Sequence, residues 1–314
     1  MLILLVALPI LFSCSAERAP GDLFGPSETG TLVVDAILIV GQPLPEIFLY
    51  ETAALDQPYQ KHEVAIKNAQ ICIKTDERSI NYRWSYDKRF DSNMDSTGRY
   101  IPIESLIVTP NTLFSLEVEV SDGRSLRAST NTPDQIHVQK LLLLNENDLS
   151  IQRELILFSE PENTPFDAPE NQINYRDGIV EALVGPIDVP AYQLAIFNLE
   201  TNSKLLIEAD FLDEDDLAKF ERSGASPPLS IRDGRARLPW FGVAYEGKHL
   251  FKIYAIEKNW FDFIRTDPDG NRDSGGGLLG EQFQRPKFNI EGGIGIFASA
   301  SVDSVGFTVI RSDD

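Results

Sequence analysis

The chain has 314 residues, 48 of them acidic and 28 basic, for a formal net charge of −20. That balance argues against nucleic acid as a partner, because phosphate backbones are held by clusters of Lys and Arg that release counterions. It also favours solubility, and repulsion by anionic head groups leaves any membrane attachment to a lipid rather than to the protein surface.

In chain order, Leu2 to Phe12 is an almost unbroken apolar run that ends in Leu11-Phe12-Ser13-Cys14. A short apolar core closed by small residues is a secretory signal, and Leu-x-Ser-Cys reads as a bacterial lipobox. Spanning a bilayer takes about 20 apolar residues, so the run is too short for a transmembrane helix. No Lys or Arg precedes Arg18. The positive charge that opens a signal peptide therefore falls to the α-amino group of Met1 or to a start further upstream. Residues 1–13 are expected to be removed and Cys14 acylated, and its three acyl chains exceed what stable anchoring needs. Ser15 after the cysteine, rather than Asp, favours the outer membrane. Residues 14–29, with the lipidated Cys14 at their head, are rich in Gly, Pro, Ser and Glu and read as a tether.

Residues 30–135 read as a β-sandwich. Thr31 to Val40 is apolar and β-branched, closed by Gly41, Pro43 and Pro45. Short strands follow at Glu46–Tyr50, Val64–Ile66 and Ala69–Thr75. Ile80–Tyr86 and Phe114–Val120 alternate with period two, as half-buried strands do. Ser121 to Arg124 supplies hairpin-turn chemistry before the strand Ser125–Thr130. Cys72 sits within such an alternation and reads as a small packed residue, its possible His partners (His62, His137, His249) being remote in sequence.

Asn131-Thr132-Pro133-Asp134 marks the boundary to a second β-rich domain, residues 136–314. Strands are expected at Ile136–Leu144, Ile151–Phe158, Gly178–Val184, Ala191–Leu199, Lys204–Ile207, Gly242–Tyr245, Leu250–Ile256 and Gly306–Ile310. One short helix is predicted at Asp213–Arg222, with acidic residues at its positive end and Gly224 beyond its C-terminus. The fold class is therefore all-β, two sandwich-like domains with one short helix in the second.

Asp267, Asp269, Asn271 and Asp273 place oxygen donors at positions one, three, five and seven of a loop, a pattern that suits calcium. Arg272 and Leu278 stand where a calcium-binding EF-hand loop needs Gly and Glu, and the preceding aromatic segment reads as a strand leading to a hairpin tip. Gly293 to Ala298 formally matches Gly-x-Gly-x-x-Ala, yet the residues after it read as strand where a dinucleotide site needs a helix. These glycines fit a strand that bends or packs closely. Tyr82, Trp84 and Tyr86 alternate on one strand face and Trp260 lies in a second aromatic segment. Such rows are either core or a platform for sugars.

Lys67 to Ile73, Gly98 to Tyr100, Leu113 to Val118 and Asp122 to Thr130 resemble the carboxypeptidase-regulatory-like β-sandwich of cell-envelope proteins. Phe251 to Thr266 and Phe288 to Phe297 add a C-terminal match. Together with the lipobox, the chain resembles the Bacteroidota-type lipoproteins catalogued as domain of unknown function 4249. That resemblance implies a non-enzymatic outer-membrane lipoprotein encoded near a TonB-dependent receptor, with no catalytic residue and no cofactor to carry over. Two further readings follow from the residues: a calcium-stabilised carbohydrate-binding module, and an envelope hydrolase with its site between the domains.

Overall fold

A computed structural model describes residues 29–54, 60–85, 98–157, 166–206, 223–231, 233–238, 240–264 and 287–311. The protein is all-β, and the described strands collect around two large hydrophobic cores.

The first core is built by β1 (Leu32–Ile39), β2 (Ile47–Glu51), β3 (Ala69–Lys74), β4 (Ser79–Trp84), β5 (Arg99–Pro102), β6 (Leu113–Val120) and β7 (Ser125–Asn131). Period-two alternation does what the pleat requires: β6 buries Phe114, Leu116, Val118 and Val120 and turns Ser115, Glu117 and Glu119 outward. The β6–β7 turn carries Gly123 at φ 93°, while Asp122 accepts the Arg124 backbone N–H at 3.0 Å. A short helix α1 (Lys61–Val64) stands where a strand is expected, and only Ala65 bridges to Tyr50.

The second core lies between two layers. One is the four-stranded sheet β14-β11-β8-β9, made of β8 (Val138–Leu144), β9 (Ile151–Leu155), β11 (Ile179–Val184) and β14 (Arg235–Arg237). Facing it are β12 (Ala191–Asn198), the edge strand β13 (Ser223–Ala225), β15 (Gly247–Ile256), the short β10 (Gln172–Asn174) and the C-terminal strand β17 (Gly293–Ile310). Leu141, Leu143, Val180 and Ala182 of the first layer meet Leu194, Ile196, Phe251, Ile253 and Phe307 of the second.

The last strand joins the two cores. Residues 293–300 of β17 pair in parallel with β1, and residues 300–309 pair antiparallel with β15, so one 18-residue strand lies in both halves of a 13-stranded sheet. Just before it, β16 (Ile290–Glu291) pairs with β7. The sheet path β17-β1-β2-β5-β4-β3-β6-β7-β16 thus ends one residue from where it began and wraps around the first core. Gly292, at φ +80°, makes that one-residue turn against the carbonyl of Ser125. Gly295, at φ +113°, lies so close to Val34 that a Cβ would collide with its carbonyl oxygen. Gly293, where a Cβ would meet the Leu32 carbonyl, and Gly295 serve close strand packing, as the sequence suggested, and the segment opens no helix.

Three further expected strands take other forms. Of Lys204–Ile207, the described residues contribute a single bridge at Leu205. Gly242–Tyr245 is the end of a 3-10 turn (Trp240–Gly242) followed by a single bridge from Tyr245 to Leu205. The aromatic segment after β15 is a helix, α2 (Lys258–Ile264), rather than a strand. Trp260, Phe261 and Ile264 of α2 pack with Ile39, Ile256 and Ala300 where the two cores meet. The helix predicted at Asp213–Arg222 lies outside the described residues.

Candidate functional site

Cys14 and the candidate calcium ligands Asp267, Asp269, Asn271 and Asp273 all lie outside the described residues. What the described residues offer is a polar sheet face, two smaller hollows and a buried polar junction.

The polar face is the outer surface of β3, β4 and β6. Pairing puts Cys72 beside Asn81 and Glu117, Lys74 beside Ser79, and Gln70 beside Glu119, around a hollow of about 490 Å³. Lys74 is paired with Glu117, which raises the lysine and lowers the carboxyl. Cys72 Sγ lies 2.9 Å from Ser79 Oγ, and among the described residues no histidine lines the hollow. A thiol needs an adjacent base or cation to become nucleophilic. Here its closest partner is a hydroxyl, and Lys74 on the same rim is already paired with Glu117.

The aromatic rows divide between core and rim. Tyr82 is buried, its hydroxyl donates to the Pro45 carbonyl at 3.1 Å, and burial pushes its phenol up. Trp84 remains 39% exposed at the strand end, and Tyr86 lies outside the described residues. Trp260 tilts against Tyr254 with ring centroids 5.9 Å apart, inside the junction between the cores. Tyr82 and Trp260 are packing residues, not a platform.

A second hollow of about 440 Å³ sits where β11 ends and β14 begins, walled by Pro186, Ile187, Val189, Pro190 and Tyr192. A smaller apolar cavity of about 160 Å³ lies under the edge strand β13, against Leu194, Leu238 and Phe251. Among the described residues, Ser230 and Asp233 line the first without a hydrogen bond between them, and Ser226 lines the second with no base beside it.

The junction is the most organised polar cluster, and sequence reading did not find it. Glu257 directly follows β15 and is 8% exposed; burial raises its pKa. Its carboxylate accepts the backbone N–H groups of Asn259 at 2.7 Å, Trp260 at 3.2 Å and Ser299 at 3.2 Å. It therefore caps the first turn of α2 and ties it to β17. Next to it the hydroxyls of Thr130 and Ser299 meet at 2.8 Å. Further along the same side of β17, Ser301 Oγ accepts the Ile136 N–H at 2.9 Å and Asp303 Oδ2 accepts the Val138 N–H at 2.6 Å. Asn259 and Asn289 both donate to the Ser129 carbonyl. The signal was present as the alternation Ser299, Ser301, Asp303 in an apolar strand. Nothing local says what those side chains bond to.

The chain's fold defines an all-β protein whose final strand closes one core and completes another. Residues 22–305 match the sequence profile of the family described as Domain of unknown function (DUF4249), and the chain belongs to that family. No curated protein matches it.

Proposed function

We propose that the protein is a lipoprotein held in the outer membrane through Cys14, with a β-rich body that acts as a non-enzymatic binding or accessory component of a TonB-dependent uptake system. The observation that carries this reading is the separation of address from body. The lipobox ends at Cys14, and among the described residues the first strand starts at Leu32. The start of that strand is fastened by Gly30, whose N–H donates to the Thr52 carbonyl at 2.9 Å and whose carbonyl accepts from Arg124. Arg124 is held in turn by Asp122 and Glu51. Force or thermal motion along a tether would meet this clamp before it reached the core. The uptake role is supported by the family resemblance, and the two β-rich halves are proposed as two domains that share β17.

The test is affinity purification of the tagged, lipidated protein from solubilised membranes. A TonB-dependent receptor recovered in stoichiometric amount, together with an uptake defect on deletion, is the expected result. Recovery without any such receptor and no uptake defect would sink the accessory role.

A further inference from the structure

The structure points to a second site, independent of the anchor: we infer that Arg235 and Arg237 bind a phosphate group, held in place by the buried Glu181. Alternation along β11 sends Val180, Ala182 and Val184 into the second core and Glu181 to the opposite side of the sheet. There Glu181 is fully buried, and its carboxylate is divided between two arginines of the edge strand. Arg235 Nη1 donates to Oε1 at 2.6 Å and Arg237 Nε donates to Oε2 at 2.7 Å.

Two cations share one anion, so the cluster keeps a net positive charge within a chain of net charge −20. Both arginine side chains are about half exposed, at 50% and 47%. Each spends one N–H on Glu181, and among the described residues the other guanidinium donors have no acceptor. Residues two apart on a strand share a face at about 7 Å, a spacing from which two planar forks can converge on one oxyanion. The neighbouring cation of this face, Lys140, aligns with Arg235 through Leu183 but is paired with Glu154 at 3.0 Å.

A buried carboxylate costs more to desolvate than an apolar residue of similar size, so as a fastening alone the cluster is a poor solution. As a device for orienting guanidinium groups it has a clear use, since a charge partner behind a binding group fixes its geometry. Arginine suits phosphate better than lysine does because its fork makes paired hydrogen bonds.

Preorganisation and simple charge predict opposite effects for one substitution. Glu181→Gln raises the positive charge of the cluster, so charge alone predicts tighter phosphate binding, whereas loss of orientation predicts weaker binding. The whole protein in detergent would be titrated calorimetrically with inorganic phosphate and with glycerophosphoglycerol, at an ionic strength where the Debye length is about 8 Å. The expected result is saturable binding that weakens about tenfold in Glu181→Gln and in Arg237→Gln, with each variant still melting cooperatively. Binding of the diester alone assigns the site to a lipid head group, and binding of inorganic phosphate assigns it to free phosphate groups. If Glu181→Gln fails to fold, the double variant Arg235→Lys and Arg237→Lys keeps the charge and removes the forks, and it must lose binding to the same extent. Absence of binding by the unaltered protein, or equal or tighter binding in Glu181→Gln or in the double lysine variant, overturns the proposal.

Discussion

His249 shows how one side chain sets an acid limit on this fold. It is 1% exposed on β15, stacked on Phe307 with ring centroids 6.0 Å apart. Its Nδ1 lies 2.9 Å from the Gly247 carbonyl and its Nε2 lies 3.3 Å from the Asn198 amide nitrogen. Those partners assign the neutral ring, donating from Nδ1 and accepting at Nε2. Burial pushes the imidazole down from 6.5 to about 4, against the raising influence of the Gly247 carbonyl and Glu200. The unfolded chain therefore binds the proton first as pH falls. Stability held above pH 6.5 is lost progressively as pH falls to 4, by up to about 3 kcal/mol. Urea unfolding between pH 7 and pH 4 should show that loss, and His249→Gln should flatten it. An unchanged slope in the variant would remove His249 as its cause. Glu257 acts with the opposite sign. Its raised pKa means the folded state holds its proton longer, so its contribution falls as pH rises from the ordinary value of 4.5.

At the scale of elements, the parallel pairing of β1 with β17 depends on Gly295. Its φ of +113° and its contact with the Val34 carbonyl both exclude a Cβ. Gly295→Ala should cost about 3 kcal/mol or more, read as a shifted urea midpoint at constant slope. A change below half a kcal/mol would mean that the strands separate without cost. The helix α2 makes a second case. Glu257→Ala leaves the Ser299 N–H buried without its acceptor and uncaps α2, a loss of about 3 kcal/mol measurable in the same way. An unchanged midpoint would show that Glu257 does not tie α2 to β17. These two elements also mark what the sequence disclosed. β1, β6, β12 and β15 were legible because each carries a clean apolar pattern, and β7 was legible through the turn at Asp122 and Gly123 that precedes it. Trp260 to Phe263 read as a continuing strand because Glu is a weak N-cap signal, and the carboxylate works here only with β17 beside it. Val64 to Ile66 was too short for its alternation to decide between helix and strand. The junction was illegible for a related reason: Thr130 and Ser299 are 169 residues apart, and their meeting depends on the complete sheet.

At the scale of the molecule, Ser301 and Asp303 of β17 strap down Ile136 in the segment after β7 and Val138 at the start of β8, so the two cores should unfold together. Removing both acceptors, as Ser301→Ala with Asp303→Ala, strands two backbone N–H groups and should cost roughly 2–4 kcal/mol. Calorimetry should then show the single transition broadening or dividing in two, and an unaltered single transition would mean that β17 alone couples the halves. The central claim, however, is that location and stability belong to different parts of the chain. The direct measurement is membrane fractionation with metabolic palmitate labelling, made on the unaltered protein and on Cys14→Ser, with the melting temperature of each. The unaltered protein should be labelled and membrane-bound, and the variant should be unlabelled with the same melting temperature. An unaltered protein that is wholly soluble and unlabelled would contradict the claim.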